Sequence, residues 1–179
     1  EAIGIGGFAP QTDAKTRSAN YGIYLSDTFS LSKQWTLTLA GRYNWSSAQI
    51  GDASGTQPQL DGRHVFSRFN PAAGINWNPT PAFTTYVTYN EGMRVPTAIE
   101  LACADPSAPC SLPNDFLSDP ALKPVISKTF EIGARGKLGD ATSWSAAVYR
   151  TSLNDDIQFI GSAGSAQGFF QNVGTTRRQ

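Results

Sequence analysis

From Asn20 onward apolar and polar side chains alternate with a period of two, the signature of β-strands with two different faces. In the clearest segment Trp35, Leu37, Leu39, Gly41, Tyr43 and Trp45 share one face, opposite Thr36, Thr38, Ala40, Arg42, Asn44 and Ser46. The segment before it sets Tyr21, Ile23, Leu25, Phe29 and Leu31 against Asn20, Gly22, Tyr24, Ser26, Thr28 and Ser30, with Asp27 a misfit on the apolar side. A third strand places Phe69, Ala73, Ile75 and Trp77 opposite Arg68, Asn70, Gly74 and Asn76, and Pro71 within it predicts a bulge or a lost ladder bond. The fourth opposes Phe83, Thr85, Val87 and Tyr89 to Thr84, Tyr86, Thr88 and Asn90; the fifth opposes Phe130, Ile132 and Ala134 to Thr129, Glu131, Gly133 and Arg135. A sixth sets Trp144, Ala146 and Val148 against Ser145, Ala147, Tyr149 and Thr151, and a weaker seventh is expected from Phe169 to Gln179.

Short and long connections alternate. Tight turns are expected around Lys33, around Pro79-Thr80-Pro81 and around Leu138-Gly139-Asp140, with long polar links at about 47–64, 95–127 and 154–168. That alternation is the pattern of an outer-membrane barrel, with short periplasmic turns and long extracellular loops. The first four segments each sustain about a dozen residues, which suits tilted membrane strands of about 9–11 residues better than soluble strands of about 5–6. Trp35, Trp77, Phe83 and Trp144 fall beside the short turns, and Tyr43, Trp45, Phe69 and Tyr89 at the opposite strand ends, as two interfacial aromatic rings would. The competing interpretation packs the same rings into the core of a secreted β-sandwich.

Composition sharpens the picture. Of the 179 residues 40% are hydrophobic, 11% aromatic and only 16% charged, against about 25% charged in ordinary soluble chains. Fourteen basic residues balance fourteen acidic ones, so no net field gathers nucleic acid. No apolar run is long enough for a membrane helix. The only histidine is His64, and the only cysteines are Cys103 and Cys110, a spacing that fits one small disulfide in an oxidising compartment better than a metal cage. Two free thiols are the alternative. Seven strands is an odd number, so the chain is expected to be an arc with further strands on both sides. Its start at Glu1 rather than Met agrees with a processed product or a piece of a longer chain.

Several short segments carry a family resemblance. Tyr89-Asn90-Glu91-Gly92-Met93-Arg94-Val95-Pro96-Thr97 followed by Glu100-Leu101 resembles the strand-end motif of TonB-dependent outer-membrane receptors. Asp119-Pro120-Ala121-Leu122-Lys123-Pro124, then Ser127 and Glu131-Ile132-Gly133, is similar to that family's Asn-Pro-x-Leu-Lys-Pro-Glu and Glu-x-Gly segment, with Asp119 and Val125 departing from it. Leu39-Ala40-Gly41-Arg42-Tyr43 and Asn172-Val173-Gly174 are lesser echoes. The resemblance implies an all-β, antiparallel up-and-down transmembrane barrel of 22 strands, of which residues 1–179 would form about seven, with the plug domain and C-terminal strands lying elsewhere. It implies import of a scarce nutrient such as a ferric siderophore, powered by TonB, ExbB and ExbD through the plug, in the outer membrane of a Gram-negative bacterium. The partners implied are outer-membrane lipid and a small-molecule metal chelate. A porin-like channel or a barrel enzyme is the alternative.

Catalytic chemistry has little support. His64 sits in a polar loop without a nucleophile motif, Gly4-Ile5-Gly6-Gly7 has no strand before it or helix after it, and Asn154-Asp155-Asp156 reads as a turn at the rim rather than a calcium loop. Neither a catalytic residue, a metal nor a cofactor is expected. Arg42, Arg68, Arg94, Glu131 and Arg135 fall on or continue the polar faces, where they would line a wet interior. The ligand-binding candidates are Arg42, Arg68, Asn90, Arg94 and Glu100, with ordering of the rim the favoured role for Arg94 and Glu100. Arg150 shares the outward parity and is expected near the outer interface; Asp27 is expected near the inner interface or beside a bulge. A Cys103–Cys110 bridge would stiffen a knuckle over Ala104–Pro109.

Overall fold

The computed structural model describes residues 13–107, 109–110, 121–139, 141–161 and 167–179. Alternation alone dictates the outcome: a run with one oily and one polar face can satisfy its backbone only beside another such run. The strands are β1 (Ala14–Ser30), β2 (Trp35–Asp52), β3 (Gly62–Thr80), β4 (Phe83–Arg94), β5 (Val125–Leu138) and β6 (Thr142–Asn154), then the short β7 (Ile157–Gly161), β8 (Gly168–Asn172) and β9 (Thr175–Arg178). Among the described residues, the helix α1 (Ala98–Ala102) and a 3-10 turn at Pro58–Leu60 interrupt the long links. Seven strands form one antiparallel sheet in the order β1-β2-β3-β4-β5-β6-β9. It is an open arc of an up-and-down barrel.

The register carries each face across the arc. Phe29 stands opposite Leu37, Leu37 opposite Ile75, Ile75 opposite Val87, Val87 opposite Ile132, and Ile132 opposite Val148, a single apolar row over six strands that is aliphatic from β2 to β6. Trp35 stacks on Trp77 at 5.8 Å and Phe83 tilts against Trp144 at 6.1 Å, both beside the short turns. At the other end Tyr21 faces Trp45, Tyr43 faces Phe69, and Tyr89 faces Phe130. The ten residue steps from Trp35 to Trp45 on β2 cover about 33 Å of strand, or about 25 Å along a barrel axis at a tilt of about 40°, the height of an outer-membrane apolar band.

Among the described residues no second layer covers this face. Ile23 is 75% exposed, Leu25 77% and Val148 68%, so the β-sandwich alternative fails: its apolar face would be packed away. The buried cluster lies elsewhere, beyond the aromatic ring at the long-loop end, where Ala48 and Ile50 of β2 meet Leu60, Leu101, Ala102, Ala104, Leu122, Val125 and Ile157.

Two expectations need correction and two are decided between their alternatives. β1 begins at Ala14 and β2 runs on through Asp52, so parts of the expected loops are strand that continues past the apolar band. Of the two outcomes expected at Pro71, the structure has the lost ladder bond and not the bulge: the register against β2 is unbroken, and the ladder to β4 stops at Ala72, beside the residue that has no N–H to give. Asp27 takes the first of its two expected places, three residues before the short-turn end of β1 with no bulge beside it, and its carboxylate accepts from the Thr28 N–H. The seventh strand is broken: β8 pairs with β7 in a separate hairpin, and only β9 joins β6. Gly174, at φ +38°, makes the break, in a backbone region that other residues avoid. Arg150 faces Phe130 at the upper aromatic level, as expected.

Candidate functional site

Beyond the Ala72–Asn90 rung β4 no longer pairs with β3, although it continues beside β5 to Arg94. Its upper end bends across the lumen face, and Glu91, Gly92 and Met93 share a cavity with Arg42, Asn44, Asn70 and Ala72. Glu91 has the parity of Tyr89 and Val87, so in a straight strand it would point to the apolar side. The bend aims it inward, where it forms an ion pair with Arg68. Tyr89 Oη donates to Glu91 Oε1 at 2.5 Å, and Lys128 Nζ stands 4.0 Å from the same oxygen. Deeper on the same face Tyr86 Oη donates to Glu131 Oε1 at 2.9 Å.

Arg42 and Arg68 are thus brought together, as the alternation required. Asn90 lies exposed on the last rung between β3 and β4, without joining the arginines. Arg94 and Glu100 form a separate unit at the rim. Arg94 Nη1 donates to both Glu100 oxygens at 3.0 and 2.9 Å, and Glu100 Oε2 accepts from Thr97 N at 2.7 Å and Thr97 Oγ1 at 3.1 Å. Thr97 Oγ1 accepts in return from Glu100 N at 3.2 Å, completing a capping box on α1. A carboxylate engaged this fully orders the loop. Replacing Thr97 by Ala is expected to cost about 1 kcal/mol locally, seen as faster amide exchange at Glu100 and Leu101 with the sheet amides unchanged.

The family-like segments meet in three dimensions. Leu101 and Leu122 enter the buried cluster together. Asn172 Nδ2 donates to Lys123 O at 3.0 Å and to Asp155 O at 2.8 Å, while Lys123 N donates to Asn172 Oδ1 at 2.9 Å. Asp155 itself turns the chain at φ +52°, which bears out the rim turn. Asp119 and Pro120, like Gly4-Ile5-Gly6-Gly7, lie outside the described residues.

Cys103 and Cys110 are joined in a disulfide with Cα atoms 5.8 Å apart. The knuckle they close is stitched to the following loop: Cys110 and Gly168 exchange backbone bonds at 2.9 and 3.0 Å, and Phe170 N donates to Cys103 O at 2.7 Å. The first long loop folds on a carboxylate. Asp52 accepts from Ser54 N, Ser54 Oγ and Gln57 N. The Ser54 hydroxyl, followed by the Gln57 N–H, holds its pKa below the ordinary 3.8. A lowered pKa stabilises the turn above the unfolded value and loses that help as pH falls through the folded one. The amides of Ser54 and Gln57 are therefore expected to lose exchange protection below about pH 4, while Leu37 and Ile75 keep theirs.

Residues 2–179 match the family model described as TonB dependent receptor-like, beta-barrel. The chain belongs to the TonB-dependent receptor family. Among solved structures, it resembles the ferric-catecholate import receptor Fiu of E. coli K12, with a TM-score of 0.67 and 19% identity over 93% of this chain and 25% of that one. The copper transporter OprC gives 0.71 and 19%, over 90% and 24%. The alcaligin outer-membrane receptor FauA of Bordetella pertussis gives 0.60 and 19%, over 90% and 26%. At such identity these likenesses show the fold. The chain spans about a quarter of the length of the structures it matches. TonB-dependent receptors are Gram-negative outer-membrane transporters rather than enzymes, and they bind small-molecule ligands such as siderophores. Membership sets aside the porin-like and barrel-enzyme alternatives.

Arg42, Arg68 and Arg94 were readable as charges on or beyond a polar face, and Glu100 from the strand-end motif. Glu91, Asn44 and Asn70 were missed. Parity misdirects the first, but Arg-x-Asn occurs in both β2 and β3, a repeat that points to the other two.

Proposed function

We propose that this chain is wall and extracellular vestibule of an outer-membrane receptor that imports a scarce metal chelate, such as a ferric siderophore, under TonB drive. One observation carries the reading: across one antiparallel register an uncovered aliphatic row backs onto a face that concentrates Arg42, Arg68, Glu91 and Glu131. Such a sheet suits hydrocarbon outside and a wet, charged passage inside. The loop-end cluster above it suits a rigid mouth where cargo is met, since long loops on a firm scaffold carry recognition. The likenesses to the ferric-catecholate receptor Fiu and the copper transporter OprC support metal cargo. The 179 residues are one part of the barrel domain, and the plug and remaining strands complete it.

The test uses the full-length parent gene. Deleting it is expected to abolish uptake of at least one radiolabelled metal chelate under metal starvation, and restoring it in a strain without TonB is expected to restore binding without uptake. Unchanged uptake of iron, copper and cobalamin on deletion, or rescue of transport without TonB, counts against the proposal.

A further inference from the structure

The lumen face carries one tripeptide pattern twice, Arg42-Tyr43-Asn44 on β2 and Arg68-Phe69-Asn70 on β3. The antiparallel register sets Arg42 opposite Asn70 and Asn44 opposite Arg68, so the four polar side chains form a square. Along each strand the arginine Nε donates to the Oδ1 of the asparagine two residues on, at 2.6 Å from Arg42 and 3.2 Å from Arg68. Each bond engages the amide oxygen and leaves the NH2 as the presented end. The square therefore offers donors: two guanidinium ends and two amide NH2 groups.

One half shows what such donors take. The Glu91 carboxylate, delivered by the bend in β4, sits on Arg68. In the other half no acid engages the arginine: among the described residues Arg42 makes no ion pair. Asn70 is only 6% exposed, yet its Nδ2 has no hydrogen-bond partner. A buried donor left so is costly, and a charged acceptor is the strongest remedy. Both residues line the same cavity of about 310 Å³, with Tyr24, Ala40, Glu91 and Met93. The Glu91 carboxylate at its edge is already engaged by Arg68 and Lys128, so the Arg42 charge in the cavity is left to attract an anion.

We infer that Arg42 with Asn70 is a carboxylate-binding subsite and that the cargo is a metal chelate carrying a free or weakly engaged carboxylate. This rests on the import reading above. Arg42 gives the bidentate fork that matches a carboxylate, and Asn70 Nδ2 supplies a third donor from the wall.

The full-length receptor in detergent is titrated with two probes, ferric citrate and a neutral ferric trihydroxamate, following tryptophan quenching. Arg42→Gln and Asn70→Ala are each expected to weaken ferric citrate about 10- to 100-fold. Arg42→Lys restores part of the loss, and trihydroxamate titrations are the same in every variant. Heat-modifiable gel mobility, unchanged in the variants, shows the barrel intact. Equal ferric citrate affinity in Arg42→Gln and wild type overturns the subsite. So does absence of ferric citrate binding to wild type together with a lowered unfolding midpoint in Arg42→Gln, because the carboxylate on Arg42 then belongs to the receptor's own chain. Cells that import the trihydroxamate and not ferric citrate overturn the subsite and leave the import reading standing; cells that import no chelate overturn the import reading itself.

Discussion

Changing Val87 to Arg will destabilise the assembled receptor by about 2–4 kcal/mol, while Thr88→Arg, one residue along, will cost far less. Val87 sits in the middle of the aliphatic row, between Ile75 on β3 and Ile132 on β5. An arginine there must bring a guanidinium into hydrocarbon or stretch to the headgroups. Thr88 faces Gly74 and Glu131 on the opposite side, where water and a carboxylate receive the new charge. Reversible denaturant unfolding of the full-length receptor in phospholipid vesicles, followed by tryptophan emission, gives both numbers. Equal costs, or the reverse order, would mean that the two faces have been assigned the wrong way round.

Removing the Cys103–Cys110 bridge has the next largest expected effect. Closing so short a loop is worth about 2–3 kcal/mol in the chain-entropy account, and the loss should not stay within the knuckle. Cys110 shares a bridge with Gly168, and Cys103 O holds the Phe170 N–H. The replacement Cys103→Ser with Cys110→Ser is thus expected to raise exchange at Phe169 to Asn172 and to expose both long loops to protease. The barrel strands should keep their protection. If cleavage rises only between 103 and 110, the two loops are independent and the stitching is weak.

The sheet was legible because its cause is local. Alternation along β2 is enough to say that Trp35, Leu37 and Leu39 share a side, and a slip of one residue would turn all of them inward. Trp35 and Trp77 likewise announce a boundary wherever an aromatic stands beside a turn. The bend of β4 was not legible, since it depends on where the β3 ladder stops and on what the upper strand finds beneath it. Alternation carried through Asn90 places Glu91 on the wrong side, although its Arg68 partner was already in view. The β7–β8 hairpin was hidden for a similar reason. Phe169 and Phe170 look like strand, but nothing near them in sequence reveals that they pair with Ile160 and Phe159 rather than with β6. The rim contacts were half legible: the Arg94, Thr97 and Glu100 spacing spells a helix start, whereas the clamp from Asn172 to Lys123 spans 49 residues.

The two aromatic rings also bear on the surrounding lipid. Their separation is set by covalent strand length, so the band between them cannot stretch, and hydrogen bonding to neighbouring strands stops it from shortening by tilting alone. A bilayer of about 30 Å hydrocarbon is thicker than this band of about 25 Å, and must thin around it at a cost of fractions of a kcal/mol per Å of mismatch. Long-chain lipids would squeeze the collar and short-chain lipids would relieve it. Lipid chain length thereby becomes a control on how readily the receptor inserts, independent of any cargo.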